Sequence, residues 1–166
     1  MSSMMLGAAE SANPPTDPQD GSFVLAGARY IGRDYYIYSA TASLDAGGTG
    51  FDNIQIEADS DFIWQKATYT ALAKADPEAV TESSRIIPAA TVLLTDTGSG
   101  RQLSDEAQNI PGMFGTGELP FILPTPRLMQ ARTTLQVAFS NLDQNTGVDI
   151  RLMFIGYKAY RAGPNA

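Results

Sequence analysis

The chain has no cysteine and no histidine. The first absence excludes disulfides, thiolate metal sites and a cysteine nucleophile, and it leaves the redox compartment open. The second removes the commonest general base and the commonest metal ligand. Ser-His-Asp chemistry and His-ligated zinc are therefore impossible. Basic residues are scarce: 11 Lys and Arg stand against 18 Asp and Glu, for a net charge of −7. That balance argues against tracking a phosphate backbone, and no basic stripe offers nucleic-acid recognition. It suits solubility or a partner with a basic patch. No apolar run approaches the ~20 residues that cross a bilayer as a helix. The opening MSSMMLGAAE has no basic n-region, so no cleaved signal peptide is expected.

What is present points to strands. One domain is the expectation for 166 residues, and a chain of this length buries a core without staples. Fifteen Gly and ten Pro spread along the chain imply many turns. Residues 1–21 differ from the rest, with small residues followed by Asn13-Pro14-Pro15 and Asp17-Pro18. They read as an N-terminal arm, either loose or ordered on a neighbouring subunit; Pro-rich segments lose less entropy on ordering. Residues 22–166 read as one β-domain.

Several runs carry strand patterning. Asp34–Ser39 is rich in aromatic β-formers. Phe51–Ala58 alternates, with Ile54, Ile56 and Ala58 on one face. Phe62–Leu72 carries the only Trp, Trp64, and Ala89–Thr95 is a further strand. Ala71–Ser84 reads as a long loop with room for one helical turn. Residues 110–127 form an irregular Gly- and Pro-rich crossing that lies against the body, at an edge or in a loop, because Pro cannot join a central ladder.

The last quarter is the clearest. Leu135, Val137 and Phe139 share a face; after a turn over Asn141–Gly147, so do Val148, Ile150, Leu152 and Phe154. Polarity then fades at Ile155, and Gly156 marks a bulge or a close backbone approach that would bring Tyr157 inward. That end is expected to be buried centrally or at a subunit contact. About eight strands without a long helix give an all-β, antiparallel sandwich, jelly-roll-like in topology.

Three motifs bear on chemistry. Leu93-Leu94-Thr95-Asp96-Thr97-Gly98-Ser99 is close to the Asp-Thr-Gly turn of aspartic proteases. That chemistry needs two carboxylates sharing a proton, so a single copy would have to dimerise. Ile31-Gly32-Arg33-Asp34 precedes the turn instead of following it, and a hairpin turn explains Asp, Gly and Ser more simply. Asp59 and Asp61 lack the loop spacing that supplies the 6–8 oxygens of calcium. Tyr30, Tyr35, Tyr36 and Tyr38 are dense enough for a sugar-stacking platform, although core packing or a subunit interface explains them more simply. Neither a catalytic set, a cofactor nor a metal site is expected.

A longer pattern runs through the chain. Asp59-Ser60-Asp61-Phe62-Ile63-Trp64-Gln65-Lys66 opens it. Thr95-Asp96-Thr97-Gly98-Ser99-Gly100-Arg101 and Leu119-Pro120-Phe121-Ile122-Leu123-Pro124 follow, and Asn141 with Leu152-Met153-Phe154-Ile155-Gly156-Tyr157-Lys158 closes it. Across residues 51–160 this order resembles small virion proteins of tailed bacteriophages. The resemblance implies a non-enzymatic structural subunit of the virion, most simply a capsid decoration or cement protein. Head–tail connector and fibre-base proteins are the alternatives, and a carbohydrate-binding module is the alternative outside the virion. Its partners would be the major capsid protein or other virion subunits, with homo-oligomers expected and neither nucleic acid nor membrane involved. Exposed-looking apolar residues give the interface candidates Met4, Met5, Leu6, Pro14 and Pro15 in the arm and Met113, Phe114 and Phe121 in the crossing; Tyr157 joins them because its end of the chain is expected at a subunit contact if not in the centre.

Overall fold

The computed structural model describes residues 22–74 and 85–163. Nearly all of them lie in strands or turns. In chain order these are β1 (Phe23–Leu25), β2 (Ala28–Leu44), β3 (Thr49–Gln55), β4 (Asp61–Ala73), β5 (Ala90–Asp96), β6 (Arg101–Gln102), β7 (Gln108–Asn109), a single helical turn α1 (Ile110–Met113), β8 (Phe121–Met129), β9 (Thr134–Asn141) and β10 (Val148–Arg161). The first sheet has the order β1-β2-β10-β4-β8; the second runs β3-β9-β5-β6, with β7 also on β5. All strand pairs are antiparallel.

The pairing is nested. β2 pairs β10, β3 pairs β9, β4 pairs β8 and β5 pairs β7. Each inner pair alternates between the sheets, as in one long hairpin wound round a common core. The core lies between the sheets: Leu44, Phe62, Trp64, Leu152 and Phe154 from the first meet Ile54, Val92, Leu94, Leu135, Val137 and Phe139 from the second. These positions follow the period of two that a sheet with one wet face requires.

β10 is the central strand of the first sheet, flanked by β2 and β4 along almost its full length. Central burial therefore accounts for the apolar run after Phe154. The irregularity is at Gly156 but the extra residue belongs to β4. Ile155 pairs Lys66 and Gly156 pairs Trp64, so Gln65 is skipped. Accordingly Phe62 and Trp64 point inward before the bulge, and Ala67, Tyr69 and Ala71 after it. The phase of β10 does not flip: Tyr157 stays on the outer face, half-buried, and Lys158 occupies the inner one. A Cβ on Gly156 would lie 1.9 Å from the Ile63 carbonyl oxygen, so only glycine fits there.

Two other expectations change. β3 ends at Gln55, before Ala58, which is exposed. The backbone of Ile56 exchanges hydrogen bonds with Thr133 and Arg132, and the chain then leaves the sheet for β4. The crossing at 110–127 is more ordered than its composition suggests. It holds α1, and from Phe121 it becomes the edge strand β8, with Pro124 and Pro126 in the stretch that bulges between Ile122 and Arg127. An edge bulge is where prolines do least harm to a ladder. The Ala71–Ser84 loop lies mostly outside the described residues, although Arg85 returns to bridge Leu72.

Candidate functional site

The arm residues Met4, Met5, Leu6, Pro14 and Pro15 lie outside the described residues. The other four interface candidates fall in three places. Phe114 is a core residue, 1% exposed, with its ring 5.6 Å from that of Phe154. It is withdrawn as a surface contact, because α1 turns it inward to close the core below the Gly115 bridge to Thr68. Met113 and Phe121 do come together. With Trp64, Leu103, Leu123 and Arg127 they line a pocket of about 200 Å³ beside β8. That volume is below the ~300 Å³ at which small-molecule sites begin, and suits one inserted apolar side chain. Tyr157 lies away from it on the outer face of the first sheet.

That outer face divides into two halves. Thr41, Ser43, Thr70, Asp149 and Arg151 make one half polar and shallow. The other half is more apolar, with Lys66 as a charge opposite Ile155: Tyr157 pairs Tyr35 and Ile155 pairs Ile37 across the strands, and Tyr35 is 64% exposed. The Arg33 guanidinium stands 5.4 Å from the Tyr157 ring centre and 5.9 Å from that of Phe23. Beyond it lies a small second core of Tyr30, Ile63 and Ala159, packed by Phe23, Leu25, Ala28 and Leu128. Sequence patterning found Tyr157 but missed Tyr35 and Ile37 as its partners, because only the β2–β10 register brings them together.

The polar groups picked out by motif serve the fold. Asp96 accepts hydrogen bonds from Gly98 N (3.0 Å) and Ser99 Oγ (2.9 Å) and lies 3.7 Å from Arg127 Nη2. This is an Asx-type turn closing the β5–β6 hairpin. Asp61 is 1% exposed and accepts from Tyr30 Oη (2.7 Å), Arg161 Nε (2.7 Å) and Ala131 N (2.8 Å). Burial alone would push its pKa up, but these three donors outweigh it and hold the carboxyl below its ordinary range. Burial, followed by the bond to Asp61, pushes the Tyr30 hydroxyl up to about 12.

The tyrosines do not form one platform. Tyr36 and Tyr38 point inward, edge to face at 4.8 Å, and their hydroxyls meet the side chain and backbone of Glu57. Tyr30 is fully buried elsewhere, and only Tyr35 faces out. Lys158, 7% exposed, pairs with Glu57 and sits 4.2 Å from the Tyr36 ring centre, which plugs that end of the sandwich. The Glu57 bond raises the Lys158 pKa against the opposing effect of burial. Sequence reading had no signal for Lys158, since a lysine in the inward phase of a strand looks like an end-of-strand charge.

No family model, curated protein or solved structure matches this chain in the comparisons made.

Proposed function

We propose that this chain is a non-enzymatic structural subunit of a tailed-phage virion, acting as a capsid decoration or cement protein in contact with the major capsid protein. We read the nested pairing as a jelly roll. The observation that carries the functional proposal is the apolar half of the outer face, where Tyr35 and Ile37 of β2 lie beside Ile155 and Tyr157 of the central strand β10. Contiguous exposed apolar surface on a rigid support suits a protein contact. The pattern that resembles phage virion proteins also draws together in space: Trp64 pairs Gly156 and lies 5.0 Å from Phe154, and Phe121 pairs Ala67 just past the bulge. Many equivalent copies on a shell would add weak contacts through avidity.

The test is occupancy on particles produced from the encoding genome. Tyr35→Glu is expected to lower the number of bound copies while the protein keeps its fold. Deleting residues 1–20 is expected to weaken binding if the arm adds contact area. A chain absent from purified particles would sink the proposal, and unchanged occupancy after the deletion would remove the arm from it. Connector or fibre-base roles would show instead as a ring or trimer in the neck or tail. A glycan-binding role is disfavoured by the commitment of Tyr36 and Tyr38 to Glu57.

A further inference from the structure

We propose that the outer edge of β2 over Tyr35–Ala40, unpaired by any strand among the described residues, pairs with the same strand of a second copy of this chain, joining two first sheets into one. The proposal does not depend on the virion reading. β2 has 17 residues, and β1 pairs only Ala28–Tyr30 on its outer side. From Ile31 to Ala40 no strand among the described residues lies there; from Thr41 onward the edge is taken by Asp52 of β3. An edge of this kind presents a row of backbone donors and acceptors to any added strand.

The other edges carry features that blunt pairing. β8 has Pro124 and Pro126 at its bulge, β6 and β7 are two residues long, and β3 carries Gly50 and Asp52. β2 from Tyr35 to Ala40, by contrast, has no charge, proline or glycine, and the stretch ends where Asp52 takes the Thr41 N–H. The phase of the strand is read from Thr41, whose N–H points away from β10 and is already taken by the Asp52 carboxylate of the same chain at 2.8 Å. By the period of two, the N–H groups of Ile37 and Ser39 face the same way.

The occupant follows from what the chain itself can supply. The 21 residues before Ser22 enter through β1, which already runs antiparallel along this edge. Continuing the ladder through them meets Pro18, Pro15 and Pro14, which have no N–H to donate. An identical β2 meets no such block. Two uncharged strands related by a two-fold axis place no like charges opposite one another, and the contact is self-complementary. Tyr35 and Ile37, at 64% and 39% exposed, would gain cross-strand neighbours.

Native mass spectrometry of the full chain reads the outcome. The expected species is a dimer, twice 17.7 kDa. Ser39→Pro removes one outward N–H without touching the β10 ladder and is expected to give a monomer with an unchanged far-UV spectrum; Ser39→Ala is expected to remain dimeric. Should Ser39→Pro fail to fold, Ile37→Lys places a charge on the same edge and is expected to dissociate the dimer. Hydrogen exchange adds a residue-level readout: the Ile37 amide is expected to be protected in the wild type and to exchange fast in the monomeric variants. A wild-type monomer, or a dimer that survives both substitutions, would overturn the proposal. So would Ile37 protection in a monomer that vanishes on deleting residues 1–21, which would assign the edge to the chain's own N-terminus.

Discussion

Asp61 takes hydrogen bonds from β2, from the loop before β9 and from the end of β10, so one carboxylate ties three distant parts of the chain. Removing its charge leaves the Tyr30 hydroxyl and the Ala131 amide poorly paired inside the protein. Asp61→Asn is therefore expected to cost about 3 kcal/mol of unfolding free energy, as breaking a buried pair commonly does. Arg161→Ala leaves the buried carboxylate with only Tyr30 and Ala131 as donors, so it too should destabilise, but by less than Asp61→Asn because the Arg161 end of the pair is half exposed and screened. The pH dependence has a definite sign. The folded pKa of Asp61 lies below its unfolded value, so its contribution is complete above the ordinary carboxylate range and fades as pH falls through the folded value. Urea denaturation at a series of pH values should show a steep acid limb in the wild type and a shallower one in Asp61→Asn. In the sequence Asp61 stands out only as a carboxylate without calcium-loop spacing and as part of the opening pattern; its burial depends on Tyr30 and Arg161, which are 31 and 100 positions away.

At the scale of elements, the bulge at Gln65 decides which side chains of β4 form the core. Before it the even-numbered residues point inward and after it the odd-numbered ones do. Gln65→Ala should change stability by less than ~0.5 kcal/mol, since that side chain is only partly buried and at no packed position. Deleting Gln65 should instead abolish cooperative unfolding, because a one-residue slip turns half of the strand's apolar set outward. Circular dichroism through a denaturant series distinguishes the two. Sequence alone located an irregularity here from Gly156 but assigned it to β10. The reason is physical: the glycine is visible as a letter, whereas the extra residue is visible only in the pairing. The alternation of β9 and of β10 to Phe154 was legible because each has one wet face. β8 was not, because its prolines hide an edge strand within loop composition.

For the molecule as a whole, nested pairing means that the longest ladder joins the most distant residues. Tyr38 pairs Phe154, and Leu44 pairs Val148. Such non-local closure is slow, with folding in milliseconds to seconds for comparable all-β domains. Trp64 is the only tryptophan, is 3% exposed and touches Phe154. Its fluorescence should therefore report the joining of β4 to β10. Stopped-flow refolding followed at Trp64 is expected to be slower than formation of strand signal in the far-UV, and a sub-millisecond Trp64 change would contradict the nested route.

The same winding brings the first and last strands together at one pole. β1 and the end of β10 flank β2 on either side, with Phe23 and Arg161 both opposite Tyr30. The Ala162 amide then donates to the Arg29 carbonyl. Two strand spacings, ~10 Å, separate Phe23 from Arg161 there. A short peptide could therefore join Gly163 to Ser22, and a new start could be opened in the turn between β9 and β10. Circular permutation would then trade a covalent break at one pole for one at the other, and leave both sheets intact.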